Sequence, residues 1–330
     1  MIATRLTQLF DLRYPLVCAP MGRYSDAKLA LAVSTSGGLG TFGAIHPSRP
    51  IEPAYVEEQI LAIRQKTDRP FGVGFITHLI ERYVGAFDCA IEHKVPVFTL
   101  SFSDPRPWLG KIKASGATAI CQVQTIDDAR IAVDEGADVL AIQGNEAGGH
   151  CGELNLLPFL SMTLDEFPDT PVIAAGGMAS GRSLAAVLAA GADGAWIGTG
   201  FAVTSEASGV PQSMKERIVA SDGRDTVRNR VFDTLASHLN GTPNWRRDIA
   251  FRCRSNPLIE RWHGNEETLR NRIDDVAREF AEARQSGTLD IDVFGESAAF
   301  ISSDQDAANF MEDLCTQAEY RLRMSLARIS

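Results

Sequence analysis

Pro171-Val172-Ile173-Ala174-Ala175-Gly176-Gly177-Met178 and Gly194-Ala195-Trp196-Ile197-Gly198-Thr199-Gly200 bracket the stretch whose reading decides the fold. The first is a wholly apolar run ending in paired glycines; the second is a short apolar run between glycines. Both patterns suit a strand buried on both faces. Between them Ser180 precedes an alanine- and leucine-rich segment, 181–190, with apolar residues at helical spacing. Serine is a preferred helix N-cap. Strand, helix, strand without a hairpin turn is a βαβ unit, whose strands are parallel. The same grammar runs back to the N-terminus. Apolar runs stand at 14–19, 40–44, 71–75, 95–101, 117–123 and 137–143, separated by helical candidates at 26–36, 52–66, 79–93, 107–115, 126–135 and 157–167. Eight strands of this kind predict an α/β fold, a (β/α)8 TIM-type barrel. A doubly wound dinucleotide sheet would carry GxGxxG after its first strand. Ala19-Pro20-Met21-Gly22 stands there instead.

After Phe201 no further βαβ unit follows. Segments 267–284 and 304–328 read as long helices, and 242–264 reads as polar and irregular, with Pro243 and Pro257. The expected organisation is a barrel over 1–205 and a helical C-terminal portion, 206–330, packed on or over it. Of 330 residues, 45% are hydrophobic and 22% charged, which excludes a disordered or collagen-like chain. Thirty-two basic against 42 acidic residues give a net charge of −10, which argues against a nucleic-acid partner. Asp11 and Arg13 interrupt any signal-peptide core, and Asp193 with its glycines breaks the most membrane-like stretch, 183–203. Cys18, Cys89, Cys121, Cys151, Cys253 and Cys315 form no CxxC pair and match no zinc spacing. They read as buried thiols of a cytoplasmic protein with no metal site.

In a barrel, the loops following the strands form the catalytic face. Gly176 and Gly177 follow the seventh strand, and Gly198, Thr199 and Gly200 follow the eighth. These two loops are a recurring phosphate site in barrels, where glycine lets backbone N–H groups approach an anion. After the sixth strand comes Gln143-Gly144-Asn145-Glu146-Ala147-Gly148-Gly149-His150-Cys151-Gly152. Its glycines suggest close packing against a flat ligand, and His150 is a candidate general base. His46 and His78 follow the second and third strands and are candidates for substrate contact, whereas His93 precedes the fourth and belongs to the far face. Arg246, Arg247, Arg252, Arg254 and Arg261 against Asp248 and Glu260 read either as a solvated, partly paired face or as an anion-binding rim.

EAGGH at 146–150, AAGGM at 174–178, IGTGF at 197–201, APMG at 19–22 and Ser36-Gly37-Gly38-Leu39-Gly40 together resemble the nitronate monooxygenase family, formerly called 2-nitropropane dioxygenases. The resemblance covers roughly 10–205. It implies a TIM-type barrel, FMN and the oxidation of alkyl nitronates with O2. It further implies that Gly176, Gly177, Gly198 and Thr199 hold the FMN phosphate and that Ala19, Met21 and Gly22 face the isoalloxazine. Gln122, Gln143, Gly148 and Gly149 would line the ribityl chain and ring, with His150 as catalytic base. Many members carry an asparagine after the third strand; here Gly74 holds that place. Flavin-dependent enoyl reductases and quinone reductases of the same superfamily have similar loops. An NAD(P)H-dependent reductase and a non-catalytic flavin-binding protein are therefore the competing readings. The expected partners are a small-molecule substrate and O2, with a homodimer left open.

Overall fold

The computed structural model describes residues 2–45, 52–241, 245–303 and 305–327. His46 lies outside the described residues. Eight parallel strands form the barrel, in the order β1 Leu16–Cys18, β9 Gly194–Ile197, β8 Val172–Ala175, β6 Val139–Gln143, β5 Thr118–Val123, β4 Val97–Ser101, β3 Phe71–Ile76 and β2 Gly40–Gly43. A parallel bridge between Val17 and Leu39 joins the two ends, so the sheet is nearly closed. Each run expected as a strand carries one.

Alternation along the strands sorts side chains between two cores. Val17, Leu39, Val97, Ile120, Val139, Ala141, Ile173 and Trp196 fill the barrel interior. Leu6, Phe10 and Leu12, from the N-terminal helix Arg5–Phe10 and the turn after it, plug the barrel's lower end. Asp193 fixes that plug: it takes the Arg5 guanidinium at 2.7 Å and the Val172 N–H at 3.0 Å. Leu140, Val172, Ala174 and Ile197 point outward against the helices. Each fully buried side chain of this kind contributes roughly 1.5–3 kcal/mol.

Local chemistry sets the helix starts. Asp26 caps Ala27–Ser36, Thr125 caps Ile126–Asp134, and Ser180 with Ser183 forms a capping box on Gly181–Ala189. The expected helix 267–284 is two, Glu266–Asn271 and Ile273–Gln285. Helix Ala307–Leu326 returns to the barrel and packs against Gly181–Ala189 and Ala27–Ser36, the place the eighth barrel helix would occupy.

The portion expected to be helical also carries two strands. β10 Thr226–Asn229 pairs antiparallel with β11 Ala250–Arg254, and β11 pairs with β7 Gly149–Cys151. β11 lies within the stretch read as irregular. Its five residues are too short to show a period against flanking Arg246, Arg247 and Asp248. The glycine loop after β6 is thus the edge of a small second sheet laid across the barrel mouth.

Candidate active site

The C-terminal ends of all eight barrel strands open into one cavity of about 540 Å³, within the size range of cofactor and substrate sites. Ala19, Met21, Gly22, Gln122, Gln143, Gly148, Gly149, His150, Gly176, Gly177, Gly198 and Thr199 all line it. Strand order brings them together from positions up to 180 residues apart (Ala19 to Thr199).

Their local geometry differs in kind. Gly176 and Gly177 take positive φ, +99° and +68°, which glycine adopts at little steric cost. A Cβ on Gly177 would meet no atom within 4 Å, so this turn presents backbone to open cavity. Thr199 accepts the Gly295 N–H at 3.0 Å, leaving its own hydroxyl proton to donate. Met21 gives its N–H to Ser25 Oγ at 2.5 Å, so it offers the cavity its side chain. Gln143 accepts from Gln124 at 3.1 Å and donates to the His150 carbonyl at 3.0 Å, so its amide holds the His150 backbone.

The glycines after β6 make room for protein. A Cβ on Gly148 would strike Phe294 and Gly295, one on Gly144 would strike Leu156, and one on Gly152 would strike Gln124. Gly74 is likewise forced: its Cβ would lie 2.3 Å from the Pro20 ring and 2.8 Å from Thr99 Oγ1. An asparagine there is incompatible with Pro20 in this position.

His150 sits on β7 with Nε2 2.7 Å from Asp233 Oδ1. Its ring stacks on Trp245 at 3.6 Å between centroids and 19° between planes, with Phe251 at 4.9 Å and Phe102 at 6.1 Å. Phe102 holds φ +74°, an outlier for a bulky residue of the kind that clusters at functional sites. His78 does not line the cavity. It meets the Trp245 edge at 4.8 Å, and burial lowers its pKa, with His150 adding to the effect.

Sequence reasoning missed Asp233, Trp245, Phe102, Phe251 and the segment carrying Ile291, Val293, Phe294 and Ser297, which closes one wall. None carries a local motif, and the five residues of β11 that bring this region to His150 are too few to show a strand period. None of the five arginines lines this cavity: four are paired with carboxylates, and Arg247 faces a separate surface pocket. Arg246 pairs with Asp128 and Asp248, Arg252 with Glu296, Arg254 with Asp225, and Arg261 with Glu279. The cavity's own cations are Arg23 and Arg284, and no Asp or Glu is among its described lining residues.

A parallel barrel whose strand ends converge on one cavity, with a histidine and an open glycine turn in its lining, has the architecture of a barrel enzyme with its ligand site on the C-terminal face. The profile of the nitronate monooxygenase family matches residues 3–82 and 75–242, and the chain belongs to that family. It is an oxidoreductase of a flavin-dependent family. It is 30% identical over 282 residues to a probable nitronate monooxygenase of Staphylococcus aureus, spanning 72% of this chain and 78% of the relative. It is 32% identical over 241 residues to a Rhodococcus jostii (3aS,4S,5R,7aS)-5-hydroxy-7a-methyl-1-oxo-octahydro-1H-indene-4-carboxyl-CoA dehydrogenase, spanning 73% of this chain and 66%, just under two thirds, of that relative. Among solved structures, FabK from Thermotoga maritima superposes with a TM-score of 0.82 at 28% identity, covering 99% of this chain and 100% of that one. A nitroalkane oxidase from Streptomyces ansochromogenes gives 0.77 at 25% identity, covering 97% and 99%. Among the described residues no helix is long and apolar enough to cross a membrane, and no His, Cys, Asp and Glu cluster suits a metal ion.

Proposed function

We propose that this cavity holds FMN and that the enzyme oxidises alkyl nitronates with O2 as electron acceptor. The observation that carries this is the cavity lining: two arginines, one histidine and no carboxylate among its described residues, in a protein of net charge −10. Such a site favours an anion, and a nitronate is one.

The residues fit the cofactor. Gly176, Gly177 and Gly198 offer backbone N–H groups, and Thr199 a hydroxyl, to a terminal phosphate. Ala19, Met21, Gly22, Gln122 and Gly149 line the same cavity and would flank its flat ring. When bound, the flavin supplies the electron-transfer chemistry. The protein's part is to bind, orient and move one proton. His150 takes the α-proton of a neutral nitroalkane; a nitronate that arrives ionised needs only to be held by His150 and the nearby cations.

His150→Asn tests this. It should keep the flavin and slow a neutral nitroalkane by about 10²–10⁴-fold, with a much smaller loss on the pre-formed nitronate. Equal losses on both would reduce His150 to a binding role. The second reading is an NAD(P)H-dependent reductase of thioesters, and its support is the similarity to FabK and to a relative named as a carboxyl-CoA dehydrogenase. Anaerobic mixing separates the two: bleaching of the bound flavin by nitronate alone supports the oxidase, and fast bleaching by NADH or NADPH supports the reductase.

A further inference from the structure

His150 and Asp233 are 83 residues apart in sequence and 2.7 Å apart in space. Asp233 stands in the first turn of helix Val231–Asn240, outside the barrel. Both side chains are largely buried, 18% and 12% exposed. Asp233 Oδ2 is buried and has no partner, so the carboxyl group directs its one side-chain hydrogen bond at the histidine. An ionised carboxylate only accepts. A neutral imidazole facing it must therefore place its proton on Nε2. His150 Nδ1 has no hydrogen-bond partner among the described residues, and His150 is one of the residues that line the cavity.

The surroundings leave little room for another arrangement. Trp245 covers one face of the ring. Phe102 and Phe251 flank it, and Gln143 holds its carbonyl. The other ionisable groups nearby are unsuited to replace Asp233. His78 packs perpendicular to Trp245 at 4.8 Å between ring centroids and makes no hydrogen bond to His150. Burial pushes the Cys253 thiol up to about 12. Arg252 and Arg254 are engaged by Glu296 and Asp225.

We propose that Asp233 is a positioning residue that fixes His150 as the Nε2–H tautomer and thereby makes Nδ1 the atom that meets substrate. This inference rests on the base role assigned to His150 above. In the proton-transfer step the substrate C–H bond breaks and its electron pair remains on carbon and the nitro group as the nitronate. The proton forms a bond to Nδ1, and the Nε2 proton stays where it is. The resulting imidazolium then faces Asp233 at hydrogen-bond distance, which stabilises the charge that develops as the step proceeds.

The test has a kinetic and a spectroscopic arm. Asp233→Asn keeps the shape and removes the charge. It should retain flavin and lower kcat on a neutral nitroalkane by about 10²–10⁴-fold, the range spanned by general-base catalysis and by loss of a histidine's carboxylate partner. KM, and turnover of pre-formed nitronate, should stay within a few fold. Equal loss on both substrates, or wild-type kinetics, overturns the proposal. The spectroscopic arm needs no variant of Asp233 and no turnover. In protein labelled with ¹⁵N-histidine, at a pH where the ring is neutral, the resonances that vanish in His150→Asn should show a protonated Nε2 and an unprotonated Nδ1. A proton on Nδ1 overturns the proposal whatever reaction the enzyme catalyses, so this arm also decides if wild-type enzyme turns over no nitro compound.

Discussion

Replacing Gly177 by valine isolates the phosphate turn from the rest of the fold. A Cβ here would meet no protein atom within 4 Å, so the substitution creates no packing clash. Its cost to the empty protein is backbone strain at φ +68°, about 1–2 kcal/mol for a side chain in the left-handed region, or a fall of a few degrees in Tm. The open space is where phosphate oxygens would approach the turn. A branched side chain there displaces them from at least two N–H donors. At roughly 1.5–3 kcal/mol for each bond to a charged group, the loss is about 3–6 kcal/mol, or 10²–10⁴-fold in Kd. Flavin titration followed by fluorescence quenching reads the affinity, and circular dichroism melting reads the fold. A soluble, folded Gly177→Val protein that binds FMN within about threefold of wild type would refute the reasoning, because the turn would then only reverse the chain.

Denaturing the purified protein and separating the released chromophore should yield FMN; FAD, or a protein that takes up no flavin, sinks the phosphate-site assignment. Gly74→Asn should destabilise the fold by about 1–3 kcal/mol through overlap with Pro20 and Thr99, seen as a lower denaturation midpoint. An unchanged midpoint would mean that Pro20 moves freely, and that Gly74 is no adaptation to it. Pairing that substitution with Pro20→Gly, which removes both Pro20 atoms it would strike, should recover part of the loss.

The barrel was legible because a parallel strand buried on both faces leaves a plain mark. Val172–Ala175 is four apolar residues with glycines behind them, and the strand found there has those bounds. The paired glycines after β8 take the left-handed backbone that their residue type allows, whereas Gly198 after β9 has negative φ and Gly200 makes room for the Phe310 ring. The glycines after β6 were assigned to a flat ligand, yet three of them admit Phe294, Leu156 and Gln124. Glycine reports close approach without saying by what. Asp233 lay beyond any local reading. It is an ordinary first-turn helix acid until β7, β10 and β11 pair, and that pairing depends on contacts separated by about a hundred residues. Trp245 and Phe102 escaped for the same reason, since a stack and a strained φ exist only in the assembled mouth.

The helix that completes the barrel comes about a hundred residues after its last strand. Gly200 is shaped for the Phe310 ring, Gly181 for Gln317 and Gly38 for Met311, so the seam between the first and last strands waits for residues beyond position 306. At typical synthesis rates of about 5–20 residues per second, a nascent chain carries that apolar seam uncovered for on the order of ten seconds after Ile197 emerges. Phe294, Gly295 and Asp233 are also absent when β9 forms. Completion of the cavity wall therefore waits for residues up to Ser297. A ribosome stalled after residue 205 would display a sticky half-made barrel, a substrate for chaperones and proteases rather than a smaller version of the enzyme.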